Sequence, residues 1–329
     1  MKIIILDGYA LNPGDLSWEG FEQLGEVTYY NRTSKDEVIE RAKDAEILIV
    51  NKVSIDEKIM DKCPHLKYIG VLATGYNIID TKAAKQRNIT VTNIPSYSTN
   101  AVAQAVFALL TEITNGVHAH NLSVMNGDWC NSPDFCYWIH PMTELAGKTF
   151  GIVGFGSIGQ QVAKIALSFN MNVIAFTRST EKIDSFNKKY AVLKDDSTQP
   201  VKIVSKDELF KNSDILTLHC PLTEETKNFI NDQTIKKMKS NAILINTSRG
   251  LIVDEFAVRK ALDENRLGAF ACDVISVEPM QKTNPLLNAP RCIITPHVAW
   301  AAFETRKRLM DIATTNLKAF LDGKPVNTV

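Results

Sequence analysis

The chain has 329 residues, more than one hydrophobic core usually serves, so two domains are expected. Its 37 basic and 37 acidic side chains cancel and form no long run of like charge, which excludes an electrostatic footprint for nucleic acid. The first apolar stretch, Ile3–Leu6, is too short for a secretory signal, and no later stretch approaches a membrane span. These features favour a cytoplasmic protein that acts on a small molecule, with neither nucleic acid nor membrane as a partner.

Six cysteines are scattered along the chain, too sparsely for a disulfide scaffold, so free thiols in a reducing compartment are expected. The grouping that comes nearest to a metal ligand set is Cys130, Cys136 and His140, with His118 and His120 upstream. Its spacing matches no structural zinc pattern, so no metal site is predicted.

Short β-branched runs alternate with segments of helical period over the first hundred residues. The predicted strands are Ile3–Leu6, Val27–Tyr30, Ile47–Val50, Tyr68–Leu72 and Thr90–Thr92. A capping box of Ser34 and Glu37 begins the helix before the third strand, and Asp80 begins the helix after the fourth. This alternation predicts a parallel sheet wrapped by helices.

A helix from Asn100 to Gly116 is predicted to leave the first domain, because apolar residues recur at helical spacing between two plausible caps. Residues 127–144 follow as an aromatic loop. Its tryptophans and phenylalanine would be unfavourable on the surface of a monomer, so a subunit contact is predicted there.

A second series of strands and helices begins at Thr149. Its predicted strands are Phe150–Val153, Val173–Phe176, Ile215–Leu218, Ala242–Asn246, Ala269–Asp273 and Cys292–Thr295. The polar segment Lys194–Lys202 is interpreted as irregular and ends in a proline-containing turn. Ala301–Leu321 is predicted to be one amphipathic helix that packs back on the first domain.

A glycine-rich sequence, GFGSIG, lies between a predicted strand and a predicted helix. This context is typical of the dinucleotide fingerprint, whose glycines permit a tight turn and close approach to the pyrophosphate, while the helix N-terminus supplies N–H donors. The sequence therefore predicts an NAD(P) site. The contacts expected from this turn are Gly154, Phe155, Gly156, Ser157, Ile158 and Gly159.

Thr177 occupies the position, at the end of the next strand, where an acidic residue would bind the adenosine ribose and mark NAD. Arg178 and Ser179 follow it. A neutral hydroxyl beside a guanidinium can bind a 2′-phosphate through charge-assisted hydrogen bonds, whereas a carboxylate would repel it. We therefore expect NADP(H) to be accepted. The alternative is that Arg178 is a solvated loop charge and NADH serves.

Motifs along nearly the whole chain, in order and spacing, resemble those of the D-2-hydroxyacid dehydrogenase family. They are GFGSIG, LHCPLT (Leu218–Thr223), NTSRG (Asn246–Gly250), DVISVEP (Asp273–Pro279) and TPHVAW (Thr295–Trp300). Two further segments, Asp7–Trp18 and Asp134–Trp138, resemble its glycerate dehydrogenase, or hydroxypyruvate reductase, branch. The resemblance implies an NAD(P)-dependent oxidoreductase that reduces hydroxypyruvate or glyoxylate to D-glycerate or glycolate.

The resemblance also implies an α/β fold with two doubly wound parallel-sheet domains. The Rossmann dinucleotide-binding domain is expected at residues 100–297, with a dimerisation loop at 118–145. The flavodoxin-like substrate domain is expected to be discontinuous, formed by residues 1–99 and 298–329. A homodimer is implied as well.

By the same resemblance the catalytic residues are Arg249, Glu278 and His297. Arg249 offers a bidentate fork to the substrate carboxylate and can polarise the adjoining carbonyl. His297 can hand over the proton, and Glu278 as its hydrogen-bonded neighbour would favour the imidazolium and orient the ring. Taken one at a time, each of these residues could have a purely structural role. Jointly they lie at the carboxyl ends of predicted strands, where ligands bind in open α/β sheets.

The resemblance implies further contacts. Asp273 is expected to bond the nicotinamide carboxamide, and His219 and Pro221 to line the adenosine pocket. The other cofactor contacts expected are Cys220, Thr226, Thr247, Ser248 and Ala299. The substrate contacts expected are Asn51, Lys52, the backbone amides of Thr74 and Gly75, and Trp138 reaching across from a partner subunit.

Three alternatives stay open at this point. The same chemistry could act on another 2-keto acid, such as phosphoglycerate or a branched-chain keto acid. The chain could be a dinucleotide-sensing corepressor, since the family also resembles carboxyl-terminal-binding transcriptional regulators, although no recognition arm or basic tail is present. Formate-type oxidation is disfavoured, because it would not require a histidine tuned by a glutamate.

Overall fold

The computed structural model describes residues 1–191 and 199–329, which divide into two compact units. Unit 1 comprises Met1–Ser98 and Trp300–Val329, and unit 2 comprises Thr99–Ala299. The expected domain limits differ from these by at most two residues, while the functions assigned to the two domains stay predictions. In the described part of the chain, no helix has the length and apolar character needed to cross a bilayer.

Unit 1 is built on five parallel strands in the order β2-β1-β3-β4-β5, which is the flavodoxin-like order that was expected. The strands are β1 (Lys2–Ile5), β2 (Glu26–Tyr29), β3 (Ile47–Val50), β4 (Tyr68–Val71) and β5 (Thr90–Thr92). The helices are α1 (Glu19–Glu22), α2 (Val38–Ala42), α3 (Glu57–Asp61), α4 (Thr81–Gln86) and α12 (Phe303–Leu321). Because β3 and β4 are buried along their whole length, they carry the continuous apolar runs of a sheet covered on both faces.

The predicted local signals of unit 1 are confirmed. Ser34 and Glu37 form the capping box ahead of α2, and Asp80 caps α4 by accepting a hydrogen bond from Ala83 N at 2.9 Å. The helix α12 packs on the sheet of unit 1 through Leu309 and Leu317, as expected. Phe303, which was predicted on the apolar side of this helix, is instead 46% exposed.

Unit 2 is built on seven parallel strands in the order β12-β11-β10-β9-β6-β7-β8. The strands are β6 (Thr149–Val153), β7 (Asn172–Phe176), β8 (Val201–Ile203), β9 (Ile215–Leu218), β10 (Ile243–Asn246), β11 (Ala269–Cys272) and β12 (Cys292–Ile294). The helices are α5 (Thr99–Asn115), α6 (Val117–Met125), α7 (Ser157–Ser168), α8 (Thr180–Tyr190), α9 (Lys206–Asn212), α10 (Asp232–Ile235) and α11 (Glu255–Asp263). The order reverses between β6 and β9, which is the switch point of a Rossmann fold, so the predicted fold class is confirmed.

Three local predictions in unit 2 need correction. The interpretation of Lys194–Lys202 as irregular is wrong at its end, because residues 201–203 pair with β7 as the edge strand β8. The rest of that prediction falls largely on residues 192–198, which lie outside the described residues. Asn100 lies inside α5 and does not cap it, whereas Gly116 ends the helix with a φ of +58°. The proposed dimerisation loop begins as the helix α6, because the chain resumes helical geometry directly after Gly116.

Candidate active site

The glycine-rich turn joins β6 to α7. Gly154 has a φ of +87°, and a Cβ at this position would lie 2.7 Å from His219 O, so only glycine fits the turn. A Cβ on Gly159 would overlap Gly154 O, so this glycine lets α7 start close to the sheet. Apart from Gly156 itself and its two chain neighbours, no described residue has an atom within 4 Å of the position that a Cβ on Gly156 would take. Open space beside the N-terminus of α7 therefore suits a pyrophosphate.

The remaining residues of the turn take different positions. Phe155 is 2% exposed and its ring lies in the core, so only its main chain faces the turn. Ser157 is the exposed first residue of α7, and Ile158 packs partly against the core. Of the cofactor contacts predicted for this turn, the structure therefore leaves those made by the main chain and by the Ser157 side chain.

Thr177, Arg178 and Ser179 connect β7 to α8. Ser179 N donates a hydrogen bond to Thr177 Oγ1 at 3.2 Å. Arg178 is exposed, and its Nη1 lies 3.7 Å from Oε2 of Glu225, which follows β9. This carboxylate was not anticipated from the sequence. Because both side chains are about 80% exposed, the pair contributes little binding energy by itself.

His219 and Cys220 directly follow β9. Burial lowers the pKa of His219 to about 3, so its ring is neutral near pH 7, with Nε2 at 3.0 Å from Thr217 Oγ1. Burial also raises the pKa of Cys220, which keeps this thiol protonated. Thr226 Oγ1 donates to Pro221 O at 2.7 Å and closes the exposed turn that follows. The segment directly after β9 therefore presents uncharged side chains at His219 and Cys220.

Thr247 and Ser248 follow β10. Ser248 Oγ donates to Cys220 O at 2.6 Å and joins this loop to the one after β9. Thr247 Oγ1 is buried and has no hydrogen-bond partner among the described residues. An unsatisfied buried hydroxyl costs about 1–3 kcal/mol, so it marks a position that gains from a polar ligand. Together with the space above Gly156, this atom shows that the residues present fit a dinucleotide.

Arg249 lies between β10 and a short 3-10 turn, with its side chain exposed. The buried Asn246 holds this segment, since its Oδ1 accepts from Ser248 N at 3.0 Å and its Nδ2 donates to Arg249 O at 2.9 Å. Arg249 Nη1 donates to Ser248 O at 2.8 Å. Because a guanidinium carries five N–H donors, this bond still leaves a fork for a carboxylate.

Glu278 and His297 follow β11 and β12, respectively, and meet in space. His297 Nδ1 lies 2.7 Å from Glu278 Oε2, and the two side chains are 31% and 35% exposed. Glu278 Oε1 accepts a hydrogen bond from Ile275 N at 3.2 Å. A carboxylate at this distance fixes the orientation of the ring. The pair is thus a partly exposed acid–base couple.

Asp273 is 2% exposed and holds the segment that carries His297. Its Oδ1 accepts from Thr295 Oγ1 at 2.6 Å and from Val298 N at 2.8 Å, and its Oδ2 accepts from Ala299 N at 2.8 Å. The observed role of Asp273 is therefore structural support of residues 295–299. Its predicted bond to the nicotinamide carboxamide stays a prediction.

In unit 1, the segment after β3 is tied to Asp7. Asp7 accepts hydrogen bonds from the main-chain N–H groups of Asn51 at 2.8 Å, Lys52 at 2.5 Å and Val53 at 3.1 Å. Asn51 is 3% exposed, and its Nδ2 has no hydrogen-bond partner in the described part of the chain. An unsatisfied amide in this segment is consistent with a polar ligand. No local signal in the sequence predicts that Asp7 holds this segment, because the two lie 44 residues apart.

The segment after β4 contains Thr74 and Gly75. Thr74 Oγ1 donates to Ile94 O at 2.7 Å, and Thr74 O accepts from Asn93 Nδ2 at 2.7 Å, so the side chain of Thr74 serves the loop itself. Only the main chain of Thr74 fits the predicted substrate role. In unit 2, Trp138 is 68% exposed in the segment after α6.

Comparison with known proteins bears on this site. The family model described as D-isomer specific 2-hydroxyacid dehydrogenase, NAD binding domain, matches residues 107–299. The chain is similar to a hydroxypyruvate reductase from Blautia hydrogenotrophica, with 46% identity over 100% of this chain and 99% of the relative. It is also similar to a glycerate dehydrogenase from Methylorubrum extorquens, with 38% identity over 100% of this chain and 98% of that one.

Among solved structures, the chain resembles an acyclic imino acid reductase in complex with NADPH and D-arginine. The TM-score is 0.83, the identity is 30%, and all of both chains is covered. The similarity therefore extends over both units and is not confined to the nucleotide-binding half.

Proposed function

The chain belongs to the D-isomer specific 2-hydroxyacid dehydrogenase family, and from this premise we propose that it reduces hydroxypyruvate, and also glyoxylate, to D-glycerate and glycolate. It is a nicotinamide-dependent oxidoreductase that acts on a hydroxyl donor. The observation that carries the catalytic assignment is the 2.7 Å contact between His297 Nδ1 and Glu278 Oε2. The names of the two relatives support the choice of substrate.

Each step of the reaction has a residue suited to it. When bound, the reduced nicotinamide supplies the hydride for the carbonyl carbon. Arg249 binds the substrate carboxylate and polarises the carbonyl beside it. His297, with Nδ1 engaged by Glu278, donates the proton from Nε2 to the carbonyl oxygen as the alcohol forms. Glu278 stabilises the imidazolium before transfer, and in the reverse direction the neutral ring accepts the proton.

Unit 2 is proposed to bind the dinucleotide through the turn at Gly154–Gly159 and the buried hydroxyl of Thr247. Unit 1 is proposed to bind the keto acid through Asn51, Lys52 and the main chain at Thr74 and Gly75. The unsatisfied Asn51 Nδ2 supports this assignment. Cytoplasmic location and the absence of a nucleic acid partner stay predictions.

The catalytic roles can be tested with a panel of 2-keto acids followed at the nicotinamide absorbance. We expect Arg249→Ala to abolish useful turnover and His297→Ala to lower kcat by at least about 10²-fold, with the Kd for NADH little changed. His65→Gln, at an exposed histidine, is the matched control and should behave as wild type. If the protein binds NADH but none of the 2-keto acids in the panel causes NADH oxidation, the proposal is contradicted and a corepressor is favoured.

Acceptance of NADPH is proposed from Thr177 and Arg178. We expect Arg178→Ala to lower kcat/KM for NADPH about tenfold, the loss of one charge-assisted contact, and to leave NADH unaffected. Glu225→Gln should raise kcat/KM for NADPH, because the carboxylate beside Arg178 would repel a 2′-phosphate bound by that guanidinium. Equal efficiency with NADPH in wild type and Arg178→Ala would remove the proposed role.

A homodimer is proposed from the segment that follows α5. Its large apolar side chains are exposed on the single chain, among them Met125 at 74%, Phe135 at 89% and Trp138 at 68%. A patch of this kind on a protein surface marks an interaction site. The proposal includes a contribution of Trp138 to the substrate site of the partner subunit.

A further inference from the structure

Glu255 is a buried carboxylate outside the catalytic set. It is the first residue of α11 and is only 7% exposed. Its Oε1 accepts from Ser276 N at 2.5 Å, and its Oε2 accepts from Ser276 Oγ at 2.8 Å and from Asn284 Nδ2 at 2.8 Å. Burial of a carboxylate is costly unless hydrogen bonds and a favourable field compensate, and here three donors and the N-terminus of a helix do so. Both the main chain and the side chain of Ser276 are thus hydrogen-bonded to the first residue of α11.

The segment held by Glu255 supports both parts of the catalytic set. Ile275 N donates to Glu278 Oε1, and Glu278 Oε2 in turn contacts His297. On the other side, a Cβ on Gly250 would overlap the carbonyl of Ile275 and the nitrogen of Ser276. The residue next to Arg249 is therefore in direct contact with the peptide that joins Ile275 to Ser276. The Arg249 segment and the Glu278–His297 couple are thus both in contact with the Ile275–Ser276 segment.

We propose that Glu255 is a positioning residue for the dehydrogenase reaction. By fixing the peptide at Ser276, it fixes the position of the carboxylate-binding Arg249 relative to the proton-donating Glu278–His297 couple. The inference rests on the roles given to Arg249, Glu278 and His297 under the proposed function. Displacement of catalytic groups by about 1 Å can cost about 10²-fold in rate, so a defect here lowers kcat without removing a reacting group.

The isosteric variant Glu255→Gln isolates this role. If the new amide nitrogen takes the place of Oε1, Ser276 N–H loses its acceptor. If the nitrogen takes the place of Oε2, the Asn284 amide loses its acceptor. At least one hydrogen bond is therefore lost in either orientation. We expect kcat for hydroxypyruvate to fall about 10- to 100-fold, as for other misplaced catalytic groups, with the KM for NADH within about twofold. The matched control is Asp214→Asn, a carboxylate of unit 2 that accepts from Thr149 N at 2.8 Å and from Lys239 Nζ at 2.7 Å. It should lower Tm and leave kcat unchanged.

Two further variants separate positioning from loss of fold. Asn284→Asp added to Glu255→Gln supplies an acceptor for the new amide and lets the glutamine oxygen accept from Ser276 N–H, so kcat should recover at least severalfold. Ser276→Ala removes only the hydroxyl bond and should lower kcat severalfold in a chain with nearly native Tm. If Glu255→Gln does not fold, these last measurements on Ser276→Ala alone decide the proposal, and wild-type kcat in that variant overturns it.

A double-variant comparison distinguishes failure of this inference from failure of the proposed function. Because part of the effect of Glu255 passes through the segment that supports Glu278, Glu255→Gln should cost less in a Glu278→Gln background than in the wild type. Full additivity of the two losses would overturn the positioning role. Normal turnover in Glu278→Gln would overturn the proposed function itself. A deficient Glu278→Gln together with a fully active Glu255→Gln would overturn only the present inference.

Discussion

The imidazole of His219 carries no charge in the folded protein, because burial lowers its pKa to about 3. In the unfolded chain the same group titrates near its ordinary value of about 6.5. Between these two values the unfolded state binds more protons than the native state, so folding stability decreases as the pH falls. The contribution of His219 to stability is fully present above pH 6.5 and is lost progressively toward pH 3.

We therefore predict that His219→Gln flattens the pH dependence of stability. From pH 7 to pH 5, urea denaturation of the wild type should show a decrease in the free energy of unfolding of up to about 1.4 kcal/mol per pH unit below 6.5. The variant should lose most of that slope, while the exposed control His65→Gln keeps it. Identical slopes in wild type and His219→Gln would contradict a ring that stays neutral in the folded protein.

Among the elements, the loops that form the site are held by polar side chains at or just after strand ends. Asn246 holds the Arg249 segment, Asp273 holds the segment of His297, and Asp7 holds the segment of Asn51. Glu255 holds the segment before Glu278 from the start of α11. Loops fixed in this way keep their side chains in place with little reorganisation, which electrostatic catalysis requires.

Substitution of two glycines in these loops is predicted to have different effects on stability and kinetics. Gly156→Ala places a methyl group in open space at the start of α7, so Tm should stay within a few degrees of wild type while the KM for NADH rises about tenfold or more. Gly250→Ala forces the Arg249 segment away from Ile275, so Tm and kcat should both fall, with binding of NADH largely retained. Thermal unfolding and steady-state kinetics of the two variants check this. Similar defects in both would show that the two loops do not have separate roles.

At the scale of the whole molecule, the exposed apolar side chains after α5 predict self-association. Sedimentation at micromolar concentration should show a dimer for the wild type. Phe135→Glu should weaken it by at least about tenfold in Kd, since a charge replaces a large apolar contact. Ile39→Glu changes an exposed residue of α2 and should leave the dimer intact. A monomeric wild type under these conditions would contradict the proposed assembly.

The sequence predicted the two parallel sheets, because strand and helix periodicity and the glycine-rich turn are local signals. It also identified Arg249, Glu278 and His297 as candidates through motifs at strand ends. It did not reveal β8, whose three residues include exposed Lys202 and Ile203 and show no buried run.

The groups that support these candidates are visible only in the folded protein. Glu255 and Ser276 are 21 residues apart, and Asp7 and Asn51 are 44 residues apart. In sequence, Glu255 looks like an ordinary acidic residue in the first turn of a helix, and its burial depends on how α11 packs beside the loop after β11. Such pairings are fixed by the packing of distant elements, which local periodicity does not encode.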